Sequence, residues 1–476
     1  QRQMCIRDSF GAALGADSLF IHTHGTSLPA IAVEWYSTKY SDVANNASKA
    51  YSVFAPSDVA MNNFFDNYWE KGGYESLDDV DDLAMKYMLN QFIYEDGIAF
   101  PDEITSGEVK NMYDMVFNFD PSKVTDKSMC VNGVFYGLNT IDTPILFASV
   151  VGPAFRNKDC NYYLYMLDGT GLITAYSSQD TKYVLLVPTN EQIESEDIYL
   201  RTYADGSRLQ QETEDGLVDV SSSVMRTIVN IHTATGVDGL KTNGTQVLAT
   251  QTGFNYWYVK DGKITSSAAY NQILEPDNNV EPFSEFTEVK NGNDNWNNGR
   301  TYMYSGTALF QAQEGDGLQH KLSVCNDNRY VYYQFAQLLQ KAGMVMSSNY
   351  IFGLAGASHV IGFIPTNEAI STAIAAGQIP GMDVTGAVTS SLQLRQYLLS
   401  YFIRDRENAL ISYPYPGSAM KSSTYVTASG KSLAYTDSGS SLSIMVDGKV
   451  ANVISDYNFF PFAFDDGCFQ LIDAVL

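Results

Sequence analysis

Three times along this chain a short apolar run of strand length ends at a proline and passes straight into a polar, helix-starting triplet. In the third instance Val360, Ile361, Phe363 and Ile364 form the run and Pro365 closes it, because proline cannot donate to a sheet ladder. Thr366 and Asn367 follow with side-chain oxygens for the free amides of a helix, and Glu368 sits on the favourable end of its dipole. The same order appears at Tyr51–Ala60, YSVFAPSDVA, around Pro56, and at Tyr183–Ile193, YVLLVPTNEQI, around Pro188 and Asn190. Each instance is followed by an apolar stretch predicted as a second strand, at Tyr87–Ile93, Thr227–Thr233 and Tyr397–Ile403. Later come Asn132-Gly133, Asn298-Gly299 and Asp466-Gly467, turn dipeptides that open β-rich runs. Landmarks kept in order while the residues between them drift predict a repeated α+β fold.

Between the landmarks, Tyr163, Leu164 and Leu167 predict a helix that stops near Gly169 to Gly171. Val331, Phe335, Leu338, Leu339 and Ala342 recur at helical spacing up to Gly343. A further helix is expected around Ala30 to Tyr40, and hairpins with exposed loops over Ser412 to Ser443. The second copy carries the longest stretch between its proline and its turn glycine, holding Phe254–Val259, the turn Lys260–Lys263 and the loop Asn291–Asn298. The domains expected are 17–154, 155–316 with the aromatic insertion, and 317–476, joined by short linkers into a semi-rigid rod. The first nine residues, QRQMCIRDS, read as adapter-derived sequence outside the native fold, and both ends are treated as cut.

Composition adds one strong constraint. The net charge is −25, from 54 acidic and 29 basic residues, which repels nucleic acid and anionic membranes. No run approaches the roughly 18 apolar residues of a membrane helix. Cys130, Cys160, Cys325 and Cys468 form no CxxC pair, so unpaired thiols are expected rather than a zinc or thioredoxin-like site.

Candidate chemistry is sparse. His22 and His24 lack a nearby carboxylate or cysteine and read as a solvated loop, not a metal site. The acidic run Ser76–Leu83 lacks the glycine and closing glutamate of a calcium loop and reads as a capped helix start. Gly430-Lys431-Ser432 lacks the earlier glycine of a phosphate loop. His232, His320 and His359 have no evident catalytic partner, so neither metal, cofactor nor catalytic residue is assigned. The aromatic insertion offers the sharper expectation. Trp257 and Trp296, with Tyr256 and Tyr258, would present flat faces to a glycan or protein, although strand alternation would bury at least one of the three consecutive rings.

The boxes around Pro56, Pro188 and Pro365, with Gln470–Leu476 as the closing box, resemble the fasciclin-like (FAS1) family. The middle box is degraded to Gln91-Phe92 and Tyr401-Phe402, while Ile231-His232 keeps the family histidine. The resemblance implies three tandem FAS1 domains, each a β-sandwich or wedge with flanking helices, and a buried structural role for His232. It also implies a non-enzymatic adhesion or ligand-binding protein of bacterial surface type, outside the cell or at its surface, binding an extracellular protein or glycan or a second copy of itself. Membrane attachment would come only through a lost N-terminal lipid anchor. The alternatives carried beside it are a glycan-capture accessory of a polysaccharide-uptake system and a carboxylate-based hydrolase.

Overall fold

The computed structural model describes residues 51–476 apart from 96–98, 108, 112, 114, 117–119, 131–132, 205, 279–280, 314–316, 355–358, 406–413, 419 and 455–458. His22, His24, the helix expected at Ala30–Tyr40 and the first nine residues lie outside the described residues.

The architecture is α+β. In the first copy β1 (Tyr51–Pro56) ends on its proline, and Ser57 caps α1 (Asp58–Asn67) by accepting the Ala60 amide at 3.2 Å. Then come α2 (Asp82–Asn90), β2 (Ile93–Glu95), β3 (Val124–Cys130) and β4 (Gly133–Leu138). The sheet order is β2-β1-β4-β3, with β1 and β4 parallel from Tyr51↔Gly133 to Pro56↔Leu138.

The second copy opens with α3 (Asn161–Thr170), which ends at Gly171 in the left-handed conformation. It continues with β5 (Tyr183–Leu186), α4 (Asn190–Glu194), and an antiparallel sheet of β6 (Ile198–Tyr203), β7 (Gly206–Thr213) and β8 (Gly216–Asp219). After α5 (Ser222–Ile231) follow β9 (Thr233–Thr235), β10 (Thr245–Ala249), β11 (Tyr256–Lys260), β12 (Lys263–Ser266), β13 (Ser284–Val289) and β14 (Gly299–Tyr304). Strands β5 and β14 run parallel from Tyr183↔Gly299.

The third copy has α6 (Tyr333–Lys341), β15 (His359–Pro365), α7 (Asn367–Ala375), α8 (Ser391–Leu399) and β16 (Phe402–Asp405). It adds an antiparallel sheet of β17 (Ser423–Val426), β18 (Ser432–Asp437), β19 (Leu442–Val446) and β20 (Lys449–Asn452), then β21 (Phe462–Phe464) and β22 (Gly467–Ile472). Its main sheet, β16-β15-β22-β21, has the order and the parallel central pair of the first.

The turn glycines explain the recurring dipeptides. Gly299 and Gly467 take φ of +152° and +153°, and a Cβ on either would lie 1.9 Å from the carbonyl oxygen of Tyr183 or Val360 in the parallel partner strand. Only glycine lets these backbones meet so closely.

The second apolar landmark of each copy is corrected by the structure. Tyr87–Asn90, Thr227–Ile231 and Tyr397–Leu399 are helical, and the strands start only at Ile93, Thr233 and Phe402. A buried helix end and a buried strand are equally apolar, so the run alone does not separate them.

By compactness the described residues divide into two units: those up to 229 with 235–239 and 287–309, and 230–234 with 240–286 and 310–476. In the first unit, side chains of the first and second copies share one core, where Trp69 lies against Phe147 and donates its indole N–H to the Phe155 carbonyl at 3.1 Å. In the second unit, inserted strands of the second copy share a core with the third.

Candidate functional site

The aromatic insertion is interior. Trp257 and Tyr258 have no exposed surface, Trp296 is 3% exposed, and Tyr256 is half-buried. Trp257 donates its indole N–H to the Ile231 carbonyl at 2.7 Å. Tyr258 stacks on Phe460 with ring centroids 4.7 Å apart, meets Tyr270 edge-on, and donates its hydroxyl to the Pro461 carbonyl at 2.7 Å. Trp296 belongs to the other unit, where its indole donates to Val289 and its ring receives the Arg156 guanidinium. The expectation of free flat faces is therefore corrected. Strand β11 packs as interior on both faces, and the insertion serves as a seat for the third copy within the second unit.

The box residues are structural in ways only partly visible beforehand. Pro56, Pro188 and Pro365 are buried at strand ends. His232 is fully buried, its ring 5.9 Å from that of Phe310. Thr366 caps α7 as the pattern predicts, but Asn367 does not. Its side chain accepts the Gln334 amide at 2.7 Å and donates to the Tyr330 carbonyl at 2.8 Å, so it caps α6 from across the fold. Asn190 does the same for α3, accepting the Tyr162 amide at 3.1 Å and donating to the Lys158 carbonyl at 3.2 Å. These are N-caps supplied by a remote residue.

A groove in the first copy has a volume of about 540 Å³. One wall is a single face of α1: Asp58, Met61, Asn62, Phe65 and Asp66 follow the helical spacing i, i+3, i+4, i+7, i+8. The other wall is the turn Glu75–Asp78 with Val80, then Asp82, Met85 and Leu89 of α2. Met61, Phe65, Val80 and Leu89 are buried and make an apolar floor, and Asp66, Glu75, Asp78 and Asp82 stand exposed on the rim. The turn is fixed from behind. Asp81 caps α2 through the Leu83 and Ala84 amides and receives the Asn161 side chain at 3.0 Å. Burial pushes the Asp81 carboxyl up, against those hydrogen bonds. Lys158 grips Asp79 at 2.7 Å and holds that carboxyl below the usual range.

Ser76–Leu83 leads into a capped helix, as its sequence predicts, with Asp81 as the cap. The signal for the groove in the sequence is the Asp/Met/Asn/Phe/Asp spacing of α1, which sets two carboxylates at the ends of an apolar stripe.

Elsewhere the reactive groups are muted. Burial pushes the Cys160 thiol up to about 12 and the Cys325 thiol up to about 11, so both stay protonated at neutral pH. Cys160, Cys325 and Cys468 are buried and unpaired. His359 is buried at the start of β15. Among the described residues no group of three or more His, Cys, Asp or Glu side chains is placed to hold a metal ion, and no helix is long and apolar enough to cross a membrane.

No family model matches the sequence, and no curated protein matches it. Among solved structures, a FAS1 domain pair from the insect cell adhesion molecule Fasciclin I is similar at 13% identity, covering 66% of this chain and 95% of that one, with a TM-score of 0.28.

Proposed function

We propose that this chain is a non-enzymatic binding protein of adhesion type, built from three fasciclin-like copies and acting outside the cell or at its surface. The observation that carries the reading is the groove between α1 and α2: an apolar floor under a rim of carboxylates, braced from behind by Asp81 and Lys158. Such a surface favours a segment of an extracellular protein carrying Lys or Arg beside apolar side chains, since the rim attracts the charge and the floor takes the rest. The net charge of −25 steers cationic partners toward the molecule and turns acidic glycans away. Glycan capture through the aromatic insertion has less support, because those rings are covered.

A fluorescent Lys-rich amphipathic peptide titrated into the full chain tests this. Binding is expected to weaken as salt rises, because the attraction acts between exposed charges within a Debye length of about 8 Å at physiological ionic strength. The variant D66N/D78N/D82N, altered only at exposed positions, is expected to bind at least about tenfold more weakly, equivalent to about 1.4 kcal/mol. Equal binding by this variant, or binding indifferent to salt, would sink the proposal.

A further inference from the structure

The outward face of the β17–β20 sheet is unlike the rest of this acidic chain. Cross-strand partners share a face, and the row Tyr435, Ile444 and Ala451 is buried, as are Leu433 and Val446. The opposite face is therefore made of Thr424, Ala434, Met445 and Val450 in one row, with Val426 and Ser432 on one side and Thr436, Ser443 and Asn452 on the other. Val426 is 67% exposed, Val450 55% and Met445 42%. None of these nine residues is charged, in a chain of which 17% is charged.

The charges at the margin are already engaged. Lys431 pairs with Asp447 at 2.6 Å, Asp437 accepts the Gly417 and Gly439 amides, and Asp473 accepts the backbone and side-chain N–H groups of Asn452. An uncharged centre with a satisfied polar margin is the anatomy of a contact surface.

We propose that this face meets the same face of a second copy of the chain. Two molecules carrying −25 each repel wherever carboxylates face one another, and this face is where they approach at least electrostatic cost. Flat sheets stack face to face at about 10 Å, so no insertion into a cleft is needed. The central row is also self-complementary. A two-fold axis running along the strands between β18 and β19 sets Met445 over Ala434 of the second copy, large against small, and Thr424 over its Val450, two side chains of similar size. Four strands about 4.8 Å apart and three rows about 7 Å apart span only some 300 Å², short of the roughly 800 Å² per partner of a stable interface. The contact is transient for single molecules and accumulates when many copies are displayed together. It does not depend on the groove.

Sedimentation of the full chain across concentration at low and moderate salt tests it. Self-association is expected to strengthen as salt screens the repulsion, from about 20 mM to 300 mM, the reverse of the groove's dependence. Met445→Glu is expected to weaken it tenfold or more. Ala434→Met, which sets bulk against bulk, is expected to do the same, and adding Met445→Ala to it is expected to restore association. All these side chains point outward, and circular dichroism confirms the fold of each variant. A chain that stays monomeric at every salt concentration overturns the proposal. So does association that the face variants leave unchanged, or retention on a neutral polysaccharide that depends on this face without any self-association.

Discussion

At the residue scale, the aromatic insertion shows how one side chain decides whether a sequence motif reads as site or as structure. Tyr258 combines a stacked ring, an edge-on ring and a donated hydroxyl in a position without solvent. Tyr258→Phe should destabilise by about 1 kcal/mol, the value of a typical buried hydrogen bond, and Tyr258→Ala by about 3–5 kcal/mol, as for other large-to-small core changes. Denaturant unfolding measures both. The remote caps make a second prediction. Asn367→Ala should cost about 1–2 kcal/mol, because it frees the Gln334 amide and the Tyr330 carbonyl together, and Asn367→Asp should cost less because the acceptor survives. What the sequence made legible at this scale was local. Prolines and the caps at Ser57, Thr189 and Thr366 follow from near neighbours, whereas Gly299 and Gly467 answer to the backbone of a parallel strand distant in sequence. The burial of Trp257 and the partners of Asn190 and Asn367 depend on residues tens of positions away, which no window of sequence contains.

At the scale of elements, the repeated unit is a parallel pair of strands with a helix capped directly after the first. That much was legible because strand, proline and cap are consecutive. The second strand of each copy was placed too early, since the apolar ends of α2, α5 and α8 look like strand until packing separates them. One inter-element clamp makes a pH prediction. Glu275 is partly buried, which raises its carboxyl, but the Lys321 ammonium and the Tyr330 hydroxyl, both at 2.5 Å, outweigh burial and hold it below the ordinary glutamate value. Because the folded value is the lower one, the stabilisation is complete above the ordinary glutamate range and is lost as pH falls through the folded value. Glu275→Gln should therefore flatten the acid limb of a stability-against-pH curve and lower stability at neutral pH. An unchanged acid limb would show that the clamp contributes nothing.

At the scale of the molecule, the chain gathers into two compact units, and residues between Pro188 and Gly299 contribute to both cores. The sequence divides the chain by its repeated motifs, whereas the second core takes in residues of the aromatic insertion. On the proposed reading, the large negative charge sorts partners by surface: the carboxylate-rimmed groove would take cationic segments, and the neutral sheet face another copy of the same acidic chain. The two proposed contacts are expected to respond to salt with opposite signs, which makes them separable in one preparation. The most direct measurement is hydrogen exchange of the full chain with and without the Lys-rich peptide. Protection concentrated in Asp58–Asn67 and in 75–90 is the expected result. Protection elsewhere with those two walls unchanged would contradict the assignment of the groove as the binding site.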